Sequence, residues 1–206
     1  MLDFEEQYYS ESIKLIVGVD EAGRGPLCGP VVAGACILPR DYKNEAINDS
    51  KKLSEKQREK VFKEIIKNSI GYGVGYVDAS TIDTINIYEA SRIAMIKAIS
   101  NLRVRYDLIL TDAMPMKLPN KKVISIIKGD AKCECIAAGS IIAKVCRDHY
   151  MNIMAKKYPY YHLEKNKGYP TKEHIELLKK YGPIKGFYRY SYGPVKVAYV
   201  KQLKLF

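Results

Sequence analysis

The chain has 206 residues, of which 47% are hydrophobic and 28% charged, and it carries a net charge of +11. That length suits one globular domain with at most a small appendage, and this composition excludes an extended disordered chain. No run approaches the roughly 18 apolar residues of a membrane helix, and the acidic, polar start MLDFEEQYYSES is wrong for a signal peptide, so a cytoplasmic protein that does not enter membranes is expected.

In chain order, IKLIVGV (13–19) and VVAGACIL (31–38) are β-branched apolar runs that read as neighbouring strands. Between them lies GVDEAGRGPLCGP, rich in glycine and proline. Ser54 with Gln57 three residues on predicts a capping box. Val61, Phe62, Ile65 and Ile66 then form one apolar helical face. GYGVGYV (71–77) predicts a third strand, its glycines pointing to an edge or close packing. A helix is expected from near Ile87 to Leu102. DLILTDA (107–113) predicts a strand ending at Asp112, and VISIIKGD (123–130) another ending at Asp130. A long helix with small residues on its early face is expected over 135–158, and a short one over 172–180. Two strands joined by a hairpin, followed by strands alternating with helices, indicate an α/β sheet of mixed strand direction.

The excess of base favours a polyanionic partner, most simply nucleic acid. From Met151 to Phe206 there are twelve Lys and Arg against three Glu, with nine of the seventeen tyrosines. Lysines interleaved with tyrosines suit phosphate contact and stacking, although a solvated lysine-rich face has the same composition. The five cysteines, Cys28, Cys36, Cys133, Cys135 and Cys146, include no CxxC pair, so reduced, buried thiols are expected. His149, His162 and His174 lack metal-ligand spacing. Asp148, next to Arg147, reads as a surface or salt-bridge residue.

Four acids fall at expected strand ends: Asp20, Glu21, Asp112 and Asp130. Sites in open α/β sheets form at the carboxyl ends of strands, so three segments can deliver acids to one locus. Clustered carboxylates repel unless a cation neutralises them, and Mg²⁺ uses carboxylates together with substrate phosphates. An acid at a strand end also serves as an ordinary turn or cap residue. Neighbours on a strand face opposite ways, so Asp20 and Glu21 share one metal only if the strand breaks there, as the following glycines allow. Gly23 and Gly25 permit close approach of a ligand to the backbone, and with Arg24 can hold a phosphate or sugar hydroxyl.

DEAGRGPLCGPVV, NDSKKLSEKQRE, LTDAM, KGDAK followed by AAGSIIAKVCRD, NKGYPTKEH and YSYGPVK occur in an order that resembles bacterial ribonuclease HII, the type 2 ribonuclease H family, from about Val17 to Val195. The resemblance implies a ribonuclease H-like α/β fold with a five-stranded mixed sheet flanked by helices and a C-terminal helical extension. It implies a catalytic domain over 1–160 and a basic, tyrosine-rich extension over 161–206 packed on it. It implies an endonuclease dependent on Mn²⁺ or Mg²⁺, two ions being expected with substrate. Such an enzyme cuts the RNA strand of RNA–DNA hybrids and cuts 5′ of single ribonucleotides in duplex DNA, leaving 3′-hydroxyl and 5′-phosphate ends, as in ribonucleotide excision repair. The family's catalytic, metal-binding acids map onto Asp20, Glu21, Asp112 and Asp130. Its 2′-hydroxyl-sensing turn maps onto Gly23, Arg24 and Gly25, and its junction tyrosine onto Tyr169. Lys51 and Lys52 are the corresponding phosphate contacts.

Departures from the family pattern are Gly139, where alanine or serine is common, and Asn166, where histidine is frequent. Cys133 and Cys135 stand beside Asp130, but soft thiolates suit other metals than Mg²⁺. A monomer is expected. The terminal KQLKLF could meet a replication clamp or simply pack as a chain end. Two rival readings are another ribonuclease H-like nuclease, such as a junction resolvase, and a non-catalytic nucleic-acid binder. The turn placed directly after the acids speaks against the first. Four clustered acids, which would only weaken binding, speak against the second.

Overall fold

The computed structural model describes residues 4–48 and 53–203. Five strands form one mixed sheet: β1 Ile16–Ala22, β2 Val31–Ile37, β3 Gly71–Val77, β4 Leu108–Asp112 and β5 Lys122–Ile126, in spatial order β3-β2-β1-β4-β5. β1 pairs antiparallel with β2, and β2 with β3, whereas β1–β4 and β4–β5 are parallel. The helices are α1 Glu45–Asn48, α2 Glu55–Asn68, α3 Ala79–Ser100, α4 Glu134–Lys157, α5 Leu163–Asn166, α6 Lys172–Tyr181 and α7 Gly193–Leu203. The expected mixed sheet flanked by helices is therefore present.

Every residue of β2 is buried, because helices cover both faces of the sheet centre. On one face Val17, Val19, Ala33 and Ala35 pack with Ala94, Met95 and Ala98 of α3. On the other, Cys36 packs with Ala137, Ala138 and Ile141 of α4, joined by Val61 and Ile65 of α2. The predicted capping box at the start of α2 is formed. α4 approaches the strands very closely. A Cβ on Gly18 would lie 2.0 Å from the carbonyl carbon of Cys135, and one on Gly34 would lie 2.3 Å from the Gly139 oxygen. Only hydrogen fits at these positions, so the small residues of α4 lie directly on β1 and β2.

A third core joins the C-terminal segment to the rest. Leu27, Cys28, Met151 and Ala155 pack with Tyr161, Leu163, Leu178, Phe187 and Tyr188. Backbone bonds stitch the same regions: Leu27 N–H to the Gly168 carbonyl, Gly29 N–H to Phe187, and Arg189 N–H to Leu27.

Four expectations are corrected. β1 does not break after Asp20; it stays paired with β2 through Ala22 opposite Val32, because no residue before Gly23 needs an unusual backbone. The run 123–130 is not all strand: β5 ends at Ile126, Lys128 adopts a left-handed conformation (φ 56°), and Asp130 sits in a single 3-10 turn, Gly129–Ala131. The helix expected to begin near Ile87 is preceded by a further helical segment from Ala79, joined at a kink at Asn86 (φ 68°). The Asn86 side chain caps the second segment, accepting from the amides of Tyr88 at 2.9 Å and Glu89 at 3.1 Å. Among the described residues, the C-terminal segment holds three helices, not one. α7 was hidden because it opens on Gly-Pro, a pair that also marks a turn, although proline is compatible with the first helical turn.

Candidate active site

The parallel pairing of β1 and β4 builds the acidic centre. Val19 lies opposite Thr111, so the next residues, Asp20 and Asp112, stand side by side at the carboxyl ends of adjacent central strands. Asp112 Oδ1 accepts from the Gly129 amide at 2.7 Å, which ties the end of β4 to the turn that carries Asp130. Carboxylate oxygens of Asp20, Asp112 and Asp130 all come within 4.8 Å of one another. Glu21 is outside that trio, as strand alternation requires.

The electrostatics are those of crowded anions. Burial pushes the Asp20 carboxyl well above its ordinary range; Glu21 and Asp112 push the same way, and a hydrogen bond with Ser140 opposes them. Burial also raises Glu21, with Arg24 opposing and Asp112 adding to the rise. Arg24 Nη1 lies 3.2 Å from Glu21 Oε1, whereas the buried Oε2 of Glu21 has no hydrogen-bond partner among the described residues. Hard oxygen donors in a tight group, raised carboxyl pKa values and an orphaned carboxylate oxygen fit a divalent cation.

Beside the acids lies a cleft of about 420 Å³ lined by Glu21, Gly23, Arg24, Gly25, Arg58, Ser140, Lys144 and Tyr169. The Tyr169 ring covers Gly25: a Cβ there would lie 3.6 Å from Cε1. Lys144 Nζ lies 6.0 Å from the centre of the same ring and 2.7 Å from Asp148 Oδ1. Asp148, expected at the surface or in a salt bridge, is buried and paired, with Arg58 on its other oxygen. Lys51, Lys52 and the last residues of KQLKLF, 204–206, fall outside the described residues, and the clamp contact imagined for that tail falls there with them.

Several supporting residues escaped the sequence reading. Arg147 and Arg189 are fully buried. Arg147 donates to the carbonyls of Pro30 (3.2 Å), Lys167 (3.0 Å) and Cys28 (3.2 Å). Gly23 has φ 98° and sits on this guanidinium; a Cβ would be 2.2 Å from Arg147 Nε. His174, also buried, bonds the Tyr169 carbonyl through Nδ1 at 2.9 Å and the Tyr188 hydroxyl through Nε2 at 2.8 Å. Asn166 accepts from the Gly168 amide at 2.7 Å and donates to the Tyr161 carbonyl at 2.8 Å, holding the turn before Tyr169. Glu5 caps α4 from far away, accepting from the amides of Glu134 (2.8 Å) and Cys135 (3.1 Å). It does so because the N-cap residue, Cys133, makes no side-chain cap of its own. Burial raises the thiols of Cys133 and Cys135.

A family model described as Ribonuclease HII matches residues 17–195. The Ribonuclease HII of Bacillus subtilis (strain 168) is 51% identical over 196 residues, spanning 95% of this chain and 76% of that protein. That of Caldicellulosiruptor bescii is 52% identical over 183 residues, spanning 88% of each. The crystal structure of the ribonuclease H2 from Pyrococcus horikoshii OT3 matches with a TM-score of 0.79 at 29% identity, over 92% of this chain and 99% of that one.

Proposed function

The chain belongs to the ribonuclease HII family and is thereby a ribonuclease H-type hydrolase, and we propose that it cuts RNA–DNA hybrids and the 5′ side of single ribonucleotides in duplex DNA, leaving 3′-hydroxyl and 5′-phosphate ends, in a reaction that depends on divalent metal. One observation carries the reading: the trio Asp20, Asp112 and Asp130 stands next to a cleft whose wall is the Gly23–Gly25 turn under Tyr169. Cleavage and recognition then share one place.

Asp20, Asp112 and Asp130 would hold one metal ion, and Glu21, which stands outside that trio, would offer its unpartnered oxygen to a second. A pair of bound Mg²⁺ or Mn²⁺ ions would supply an activated water and stabilise the departing 3′-oxygen. The rest falls to the chain. The Gly23–Gly25 backbone reads the 2′-hydroxyl that distinguishes RNA from DNA. Tyr169 packs against the nucleotide at the RNA-to-DNA junction. Lys144 and Arg58 line the same cleft and supply positive charge for phosphates. The basic, tyrosine-rich segment after residue 160 extends the contact along the duplex. A role in excising misincorporated ribonucleotides inside the cell is consistent with this substrate, and no described helix is long and apolar enough to cross a membrane.

The test is a labelled DNA duplex carrying one ribonucleotide, beside an all-DNA control and a long RNA–DNA hybrid, incubated with Mg²⁺, Mn²⁺ or EDTA and mapped at nucleotide resolution. Metal-dependent cutting only on the 5′ side of the ribonucleotide is expected. Cutting of the long hybrid alone would remove the junction-sensing role from the turn and Tyr169. Binding with no cut under any metal would overturn the catalytic reading.

A further inference from the structure

Arg189 lies at the base of the Gly23–Gly25 turn with no part of it exposed. Its Nη2 donates to the Gly23 carbonyl at 2.7 Å and to the Gly29 carbonyl at 2.9 Å. Its Nη1 donates to the Arg24 carbonyl at 2.9 Å, and its Nε to Gly29 at 3.1 Å. The Tyr192 hydroxyl donates to the same Arg24 carbonyl at 2.6 Å and accepts from Arg189 Nη1 at 3.0 Å. Two consecutive peptide groups of the turn therefore have their oxygens drawn to one side, onto a fork of donors that comes from some 165 residues away in the chain.

A trans peptide is planar, so its N–H points opposite to its C=O. Holding the oxygens of Gly23 and Arg24 inward turns the amides of Arg24 and Gly25 away from Arg189. Among the described residues, neither amide makes a hydrogen bond. Both residues line the cleft with Tyr169. Gly23 adds that this arrangement is not the turn's free choice, since its φ of 98° is held against the Arg147 side chain. Burying a guanidinium demands compensation, and here two of its five hydrogen bonds go to carbonyls of the turn that faces the substrate cleft, two to Gly29 and one to the Tyr192 hydroxyl.

We propose that Arg189, assisted by Tyr192, is a positioning residue that presets the amides of Arg24 and Gly25 for a ribose 2′-hydroxyl, and so sets the enzyme's ability to act on a lone ribonucleotide. The inference rests on the turn's role in the proposed function and deepens it. In a duplex with one ribonucleotide, a single 2′-hydroxyl is the whole signal. In a long hybrid, neighbouring registers each offer one, so a misaligned turn still finds productive encounters.

Two variants test this. Arg189→Lys keeps the charge but replaces a planar fork of three nitrogens with a single ammonium nitrogen, whose three N–H groups cannot span the same three carbonyls. Tyr192→Phe removes one hydroxyl from the edge of the network. The readouts are kcat and KM on both substrates, with thermal melting as the control for folding. For Arg189→Lys, kcat/KM on the single-ribonucleotide duplex should fall at least about tenfold further than on the long hybrid, mostly through kcat, as expected for misplacement on the ångström scale. Tyr192→Phe, which removes both hydrogen bonds of the hydroxyl, should show the same preference at about 2- to 10-fold, with the melting temperature lowered by no more than a few degrees. Should Arg189→Lys fail to fold, Tyr192→Phe alone decides. Equal losses on the two substrates, or no loss with Tyr192→Phe, would overturn the proposal while leaving the turn's role intact. A wild-type enzyme that ignores the lone ribonucleotide overturns the turn's role itself and the proposal with it.

Discussion

Residues 20–21 and 23–25 are neighbours in the chain but are held by opposite means. Asp20 and Glu21 are carried by a rigid, fully paired strand, and their surroundings disfavour the charged form: burial and adjacent carboxylates raise both. The turn after them has no regular pairing. It is held by two buried cations: Arg189 grips its carbonyls and that of Gly29, and Arg147, against which Gly23 packs, grips those of Cys28 and Pro30. The strand places crowded carboxyl groups; the buried arginines place a turn that has no strand partner. The acids gain from a ligand that brings positive charge, whereas the turn has its Gly23 and Arg24 carbonyls bonded before any ligand arrives and keeps its amides for one.

The largest effect that would sharpen this contrast is at Asp20. Asp20→Asn should cut turnover below about one-thousandth of wild type, as for removal of a central catalytic group. The same change should raise the melting temperature in EDTA at neutral pH. The sign follows from linkage: the folded-state pKa lies above the ordinary value of 3.8, so the folded chain holds the proton longer than the unfolded chain. Ionisation therefore costs stability that grows as pH rises from about 4 through the raised folded value, and the neutral amide escapes that cost. A lower melting temperature would break the contrast from the acidic side.

Arg147→Ala comes next. It orphans three buried carbonyls, at about 1–3 kcal/mol each before relaxation, so urea unfolding should show a loss of about 3–5 kcal/mol. A loss under about 1 kcal/mol would mean that the turn is held by something else. Tyr169→Ala should weaken the single-ribonucleotide duplex by about 5- to 150-fold in KM, the range for one stacked base, with little change in melting because its ring is half exposed.

The smallest effect concerns His174. Burial lowers its pKa from 6.5, so below that value the unfolded chain takes up a proton that the folded chain resists. Stability should therefore hold above about pH 6.5 and decline as pH falls through the depressed folded value. His174→Gln should flatten this decline in urea titrations between neutral and mildly acidic pH. An identical pH profile in wild type and variant would remove His174 from the network under Tyr169.

Much of this architecture was legible locally. The apolar runs around Val17, Val32 and Ile109 mark central strands because a buried strand needs nothing but β-branched and small residues. The capping box at Ser54 was readable because both partners lie within one helical turn. The acids Asp20 and Asp112 were conspicuous for ending apolar runs. The turn that carries Asp130 was not readable, since nothing about Lys128 announces a left-handed backbone. The cap on α4 was hidden because its donor amides and Glu5 are 129 and 130 residues apart. Arg147 and Arg189 look like any other basic residues of a basic chain; only their surroundings make them buried.

The sequence by itself determined the strands, their acids and the glycine turn, because residue type and local periodicity decide backbone conformation within a few positions. Only the tertiary structure decided that Asp20, Asp112 and Asp130 converge, that Glu21 stands apart, and that Arg189 orients the turn. Those outcomes depend on strand register and on where buried charges find oxygen partners, and both are settled by contacts between segments about 90 to 170 residues apart.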